Sequence, residues 1–260
     1  CLGGTLDEST SAITTDSKDN LLLTGEFFGT VDFDPGSGVF NLVSAGYSDI
    51  LILKLDTLGN FVWGRKIGGT SYDRGYAIAV DLSGCIYSTG YFDNTVDFDP
   101  NAGIYNLISN GGYSDGFILK LDPAGNLVWA KSFGGANTDN GNNVNIDAFG
   151  NVIVSGGFQG TVDFDPSAAT YTLAAAGTSS ISPGNQNGFV LKLDGSGNFV
   201  WAGSISGGGF SPCRSTVTDA LGNLYITGNF NGTKDFDMGP GTYTLTASGQ
   251  SSSYVMKVNS

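Results

Sequence analysis

Thr24-Gly-Glu-Phe-Phe-Gly-Thr-Val-Asp-Phe-Asp34 is the first of four copies of one phrase. The others are Thr89-Gly-Tyr-Phe-Asp-Asn-Thr-Val-Asp-Phe-Asp99, Ser155-Gly-Gly-Phe-Gln-Gly-Thr-Val-Asp-Phe-Asp165 and Thr227-Gly-Asn-Phe-Asn-Gly-Thr-Lys-Asp-Phe-Asp237. They start 65, 66 and 72 residues apart (89 − 24, 155 − 89, 227 − 155), so the chain is a tandem array.

The segments around each phrase recur in the same order. In the third copy, residues 143–147 alternate polar and apolar, a turn follows at 148–150, and Asn151 to Phe158 return as an apolar strand. After the phrase and a variable stretch, Gly188 to Asp194 turn through Gly195-Ser196-Gly197 into Asn198 to Ile205. The pattern predicts strands over 12–16, 20–28, 50–56 and 60–67 and over their equivalents in later copies. Four antiparallel strands per unit and no amphipathic helix give an all-β fold. The expectation is a β-propeller of four tandem four-stranded blades of about 66 residues, either a closed four-bladed ring or part of a larger propeller; a β-sandwich is the alternative. Residues 1–260 read as a single repeat domain with units 5–69, 70–135, 136–207 and 208–260. The first strand of each unit, with Ile13, Ile78, Val144 and Thr216 at matching positions, is expected to line the centre. The outermost carries Trp63, Trp129 and Trp201, read as packing residues rather than a ligand platform.

Composition narrows the function. Eleven basic against 24 acidic residues give a net charge of −13, a field that repels nucleic acid and anionic membranes. There is no histidine, which removes the commonest general base and the Ser-His-Asp and Cys-His nucleophile systems. Cys1, Cys85 and Cys213 have no metal-ligand spacing. No run of 18 apolar residues is present to span a membrane as a helix. Cys1 admits two readings, the acylated cysteine of a processed lipoprotein or a position inside the array; Leu2-Gly3-Gly4-Thr5 matches Ile67-Gly-Gly-Thr70 and favours the second, a chain cut within an array.

Two carboxylate patterns stand out. Asp-x-x-Gly-Asn recurs at 56–60, 122–126, 147–151, 194–198 and 219–223, with variants at 16–20 and 81–85, and reads as a hairpin turn capped by its own Asp. In the repeated phrase, Asp32 and Asp34, Asp97 and Asp99, Asp163 and Asp165, and Asp235 and Asp237 stand two residues apart on one side of an extended segment. Such pairs suit a hard cation with oxygen ligands, Ca²⁺ above all; the competing reading makes them turn caps and edge charges. Asp49, Asp115, Asp73 and Asp139 are possible extra ligands, absent from the last unit. The variable stretch Tyr171 to Asn187 reads as a recognition insert or as a further strand over the sheet edge.

Units such as Gly75-Tyr-Ala-Ile-Ala-Val-Asp81, then Ile86-Tyr-Ser-Thr-Gly90, then Ser114-Asp-Gly-Phe-Ile-Leu-Lys-Leu-Asp-Pro-Ala-Gly-Asn-Leu-Val-Trp129, resemble the SBBP-type bacterial β-propeller repeat, in the secreted version with Val-Asp-Phe-Asp-Pro typical of Bacteroidetes. The resemblance implies an extracellular or cell-surface location and no defined reaction. The expectation is a non-enzymatic adhesive, scaffolding or binding module with protein or glycan partners, Ca²⁺ stiffening its loops; the alternative is a polysaccharide-acting propeller enzyme, a lyase or glycosidase. Unit four stops at Ser253-Tyr-Val-Met-Lys-Val-Asn259, matching the third strand of the other units, so its outer strand is missing and the edge 253–259 is expected to self-associate or to meet further blades.

Overall fold

The computed structural model describes residues 3–111, 113–175 and 186–259, and every regular element among them is a β-strand. The first sheet holds β1 (Gly3–Gly4), β2 (Glu8–Thr15), β3 (Leu21–Asp32), β4 (Asn41–Leu55) and β5 (Phe61–Ile67), in the order β1-β3-β4-β5, with β2 also on β3. The second sheet is β6 (Arg74–Val80), β7 (Ile86–Phe92), β10 (Asp115–Leu121) and β11 (Leu127–Phe133); a short hairpin, β8 (Thr95–Asp97) with β9 (Asn106–Ile108), interrupts it in sequence. The third repeats this as β12 (Asn140–Ile146), β13 (Val152–Phe158), β16 (Asn187–Leu193) and β17 (Phe199–Ile205), around β14 (Thr161–Asp163) and β15 (Thr172–Ala174). The fourth has three strands, β18 (Cys213–Thr218), β19 (Leu224–Phe230) and β22 (Ser252–Val258), around β20 (Thr233–Asp235) and β21 (Thr244–Thr246). Each sheet is an antiparallel meander, which the short turns dictate.

The extra hairpin explains why β3 and β4 run past the predicted 20–28 and 50–56. The phrase continues through Asp32 and pairs with Asn41–Val43, as β8 pairs with β9, β14 with β15 and β20 with β21. The variable stretch therefore supplies a short strand, Thr172–Ala174 in the third copy; residues 176–185 lie outside the described residues. Leu2-Gly3-Gly4 was aligned with Ile67-Gly-Gly, and the structure pairs Gly3 with Asp32 as it pairs Gly68 with Asp97; Cys1 lies outside the described residues.

The glycine in each phrase has a steric cause. Gly25, Gly90, Gly156 and Gly228 face a β-bulge in the preceding strand, where the register shifts at Thr10/Ala12, Gly75/Ala77, Gly141/Asn143 and Cys213/Ser215. The bulge presses backbone onto the glycine: a Cβ at Gly25 would collide with the Ser9 carbonyl, at Gly90 with that of Arg74, and at Gly156 with that of Asn140.

The chain divides into two compact units, residues 1–109 with 117–131 and residues 110–116 with 132–260. In the first, Leu22, Ile50 and Ile52 pack with Ile78, Phe117 and Leu119 of the second sheet. In the other, Ile153, Val190 and Ile205 pack with Cys213, Leu224 and Ile226 of the fourth. Full burial of each such side chain contributes about 1.5–3 kcal/mol. Alignment did not equalise the first-strand positions: Ile78, Val144 and Thr216 are buried, whereas Ile13 is 65% exposed. Ile78 is covered because β6 packs on β2 and β3.

Trp63 and Trp129 are buried. The turn at Gly125 lies on the Trp63 ring, and Arg65 donates to the carbonyls of Ala124 and Gly125 at 3.0 and 2.9 Å, so Trp63 is a sheet-packing residue. Trp201 is less covered and lies partly exposed.

Candidate functional site

The Asp-x-x-Gly-Asn turns cap themselves. Asp56 Oδ1 accepts from the amides of Leu58 and Asn60 at 2.9 and 2.8 Å, Oδ2 accepts from the Asn60 side chain, and Gly59 adopts φ +81°. The arrangement recurs at Asp122, Asp147, Asp194 and Asp219. At Asp16 burial opposes the charged form, but hydrogen bonds from Asn20, Lys54 and two amides outweigh it and hold the carboxyl below its ordinary range.

The Val-Asp-Phe-Asp pairs do the same for the phrase loop. Asp32 Oδ1 accepts from the amides of Asp34 (3.0 Å) and Phe40 (2.8 Å), and Asp34 Oδ1 accepts from Gly36 at 2.8 Å. Asp97 takes the amides of Asp99 and Tyr105, Asp163 those of Asp165 and Tyr171, and Asp235 those of Asp237 and Tyr243. Asp99, Asp165 and Asp237 each accept one amide further on. The valine and phenylalanine of the phrase point the other way and are buried, as alternation requires. The fourth phrase has Lys234 in place of valine; it too is fully buried, its Nζ donating to the Gly207 carbonyl at 2.7 Å, and burial pushes its pKa down to about 8. Among the described residues no cluster of three or more His, Cys, Asp or Glu side chains converges.

A second set of carboxylates is deeper. Asp49 and Asp73 are fully buried in the first unit, and Asp115 and Asp139 in the other. Asp73 accepts from the amides of Gly69 (2.7 Å) and Asp93 (3.0 Å), and Asp139 from those of Gly135 and Gln159, both at 2.8 Å. Burial, reinforced by the charge of Asp49, raises Asp73 to about 7; burial with Asp115 raises Asp139 to about 8. Raised carboxyls resemble the acids of glycosidases in pKa alone, since a buried group bonded to main-chain amides offers a substrate no access. Asn187 in the third repeat and Ser211 in the fourth stand at the equivalent places and remove the pair there.

The open feature lies along β22. β4 and β16 are each paired on both sides, whereas among the described residues β22 pairs only with β19. Beside its free edge runs a groove of about 740 Å³ lined by Trp201, Phe236, Met238, Tyr243, Leu245 and Met256, among others. Sequence reasoning named the edge residues Tyr254, Val255 and Met256; of these Tyr254 is buried and Val255 is 81% exposed. It missed Tyr243 and Leu245, which the repeat alignment places beside Phe40 and Leu42.

Comparison with known proteins gives a distant likeness. The chain is 27% identical over 246 residues, 84% of its length, to an uncharacterized WD repeat-containing protein of Acanthamoeba polyphaga mimivirus. It spans 18% of that relative's length. No protein-family model matches the chain. The sequence resemblance to the SBBP-type repeat thus gains no support beyond its coarser content, a repeat protein of all-β sheets.

Proposed function

We propose that the chain is a non-enzymatic β-propeller module, secreted or displayed on the cell surface, that binds or scaffolds other proteins. The tandem array of antiparallel meander sheets carries this reading. Likeness to a WD repeat protein supports the propeller, since WD repeats form blades of four strands. The period here exceeds the roughly 40–45 residues of a WD blade because each unit inserts the phrase hairpin and its loop. The absence of histidine, the burial of the raised carboxyls and the use of the paired Asp residues as caps support a role without catalysis. The sequence resemblance supports the extracellular location.

Light scattering and cross-linking of the 260-residue chain test the reading. We expect concentration-dependent association or cross-linked capture of protein partners, and no turnover of glycans. A chain that neither associates nor captures a partner, or glycan turnover abolished by one Asp substitution, overturns it. Ca²⁺ at the Val-Asp-Phe-Asp loops is a separate proposal, decided by the response of the melting temperature to chelator.

A further inference from the structure

In a tandem array, positions at which the copies agree hold the fold, and positions at which they differ are free for recognition. The bulge in each first strand is of both kinds. Its backbone is the same in every copy, pressed against the phrase glycine, but the residue it sets out of register is Ser11, Tyr76, Asn142 and Arg214 in turn. The residue after the phrase glycine changes as well, from Glu26 to Tyr91, Gly157 and Asn229. A bulge re-aims a side chain, and here one backbone device aims four different ones.

The second copy fills these places with aromatic and charged groups. Tyr76 packs on Tyr91 with ring centroids 5.6 Å apart, and the Arg74 guanidinium lies 5.1 Å over the Tyr76 ring. Arg74 Nη1 also donates to Glu26 Oε1 of the first sheet at 2.9 Å. Part of the hydrogen-bonding capacity of Arg74 is unused, since its Nε has no partner among the described residues, and 30% of the side chain faces solvent. One loop away, Tyr47 and Tyr72 stack with planes 8° apart and centroids at 4.7 Å, although both remain exposed, at 61% and 44%. Their backbones are fixed: the Tyr47 amide donates to the Ser71 carbonyl, and the Ser71 hydroxyl donates to Asp93, two residues beyond Tyr91. The next copy lacks the combination, because Thr138 stands in the place of Tyr72 beside Tyr113, the counterpart of Tyr47.

We propose that these side chains form a binding site for a neutral oligosaccharide, apart from any binding of proteins. A pyranose has an apolar C–H face and an edge of hydroxyls. The outward faces of Tyr47 and Tyr72 meet the C–H face. Arg74 and Glu26, donor and acceptor side by side with charges that cancel, meet hydroxyls, each of which both donates and accepts. Charge selects the class of sugar: a uronate, sulfate or phosphate would face Glu26, Asp93 and the field of a chain at −13. A protein partner is the rival, since tyrosine and arginine anchor interfaces, but acidic groups are depleted from interface cores, and here Glu26 and Asp93 stand beside the rings.

The test is titration of the 260-residue chain with cellohexaose, laminarihexaose and mannohexaose, and with hexagalacturonate as the acidic counterpart. At least one neutral hexasaccharide should bind saturably at or below about 10 mM, shifting the amides of residues 47, 72–76 and 91, and hexagalacturonate should bind more weakly. Tyr47→Ala, at an exposed position that leaves the fold intact, should weaken binding at least about threefold. Arg74→Lys keeps the charge but loses the planar fork and should weaken it too. Tyr113→Ala should leave it unchanged. No saturable binding of any of the three, binding untouched by Tyr47→Ala, or preference for the uronate overturns the assignment. So does capture of a protein partner that Tyr47→Ala abolishes while the sugars stay unbound, which would give the surface to a protein. Light scattering of the same samples reads association with proteins separately, so sugar binding and protein binding can each fail alone.

Discussion

Lys234 is the residue most at odds with its surroundings. Val31, Val96 and Val162 fill the matching position without polar atoms, whereas Lys234 buries an amine against one carbonyl. Its pKa falls from 10.5 in the unfolded chain to about 8, so below pH 8 the folded state carries the full cost of a buried cation. Lys234→Val should stabilise the protein by about 1–3 kcal/mol at pH 7. The gain should shrink between about pH 8 and 10.5, as the unfolded lysine also loses its proton; a gain independent of pH would show that the amine is not the cause. The phrase carboxylates make a second test at this scale. As caps they need only an accepting Oδ1, so Asp163→Asn should be tolerated, Asp163→Ala should cost about 1–3 kcal/mol, and chelator should leave the melting temperature unchanged. Calcium binding requires the reverse: Asn as harmful as Ala, and a melting temperature lowered by chelator and restored by Ca²⁺.

At the scale of the element, the glycine facing each bulge is the sharpest constraint. Gly90→Ala would drive a methyl into the Arg74 carbonyl, with backbone rather than a flexible side chain in the way. We expect a loss of about 1–3 kcal/mol, measured by denaturant unfolding, against almost none for Gly208→Ala, where a Cβ meets open space. These elements also show how far the sequence could be read. Strand identity and order followed from local alternation and from the Asp-x-x-Gly-Asn turns, whose geometry is set within five residues. The β8–β9 hairpin was harder, because three-residue strands such as Asn106–Ile108 are too short for alternation to register. The groove was half legible. Tyr254 to Met256 stood out as an apolar edge, but Tyr243 joins it only through long-range folding, and its one signal was alignment with Phe40 and Tyr171.

For the whole molecule, the buried carboxyls set the response to pH. Asp16 and Asp147 titrate below their unfolded range despite burial, because hydrogen bonds from asparagine, lysine and backbone amides favour the charged form. Their stabilisation is present above about pH 4 and is lost on acidification. Asp73 and Asp139 act in the opposite sense. Their folded values of about 7 and 8 exceed the unfolded value of 3.8, so between these limits the folded state binds more protons than the unfolded state. Stability from them is full at acid pH and declines up to pH 8. The two sets together place the melting optimum at about pH 4, with a fall of several degrees by pH 8. Self-repulsion of a chain with net charge −13 is a competing cause, but most other carboxylates are already ionised at pH 5, and repulsion is screened by salt whereas burial is not. The decline should therefore persist in about 0.5 M salt, where the screening length is only a few ångströms. It should also flatten in Asp139→Asn, which loses an acceptor at every pH but no longer titrates. A melting temperature constant from pH 5 to 8, or a decline erased by salt, would mean that Asp73 and Asp139 ionise as ordinary surface carboxyls.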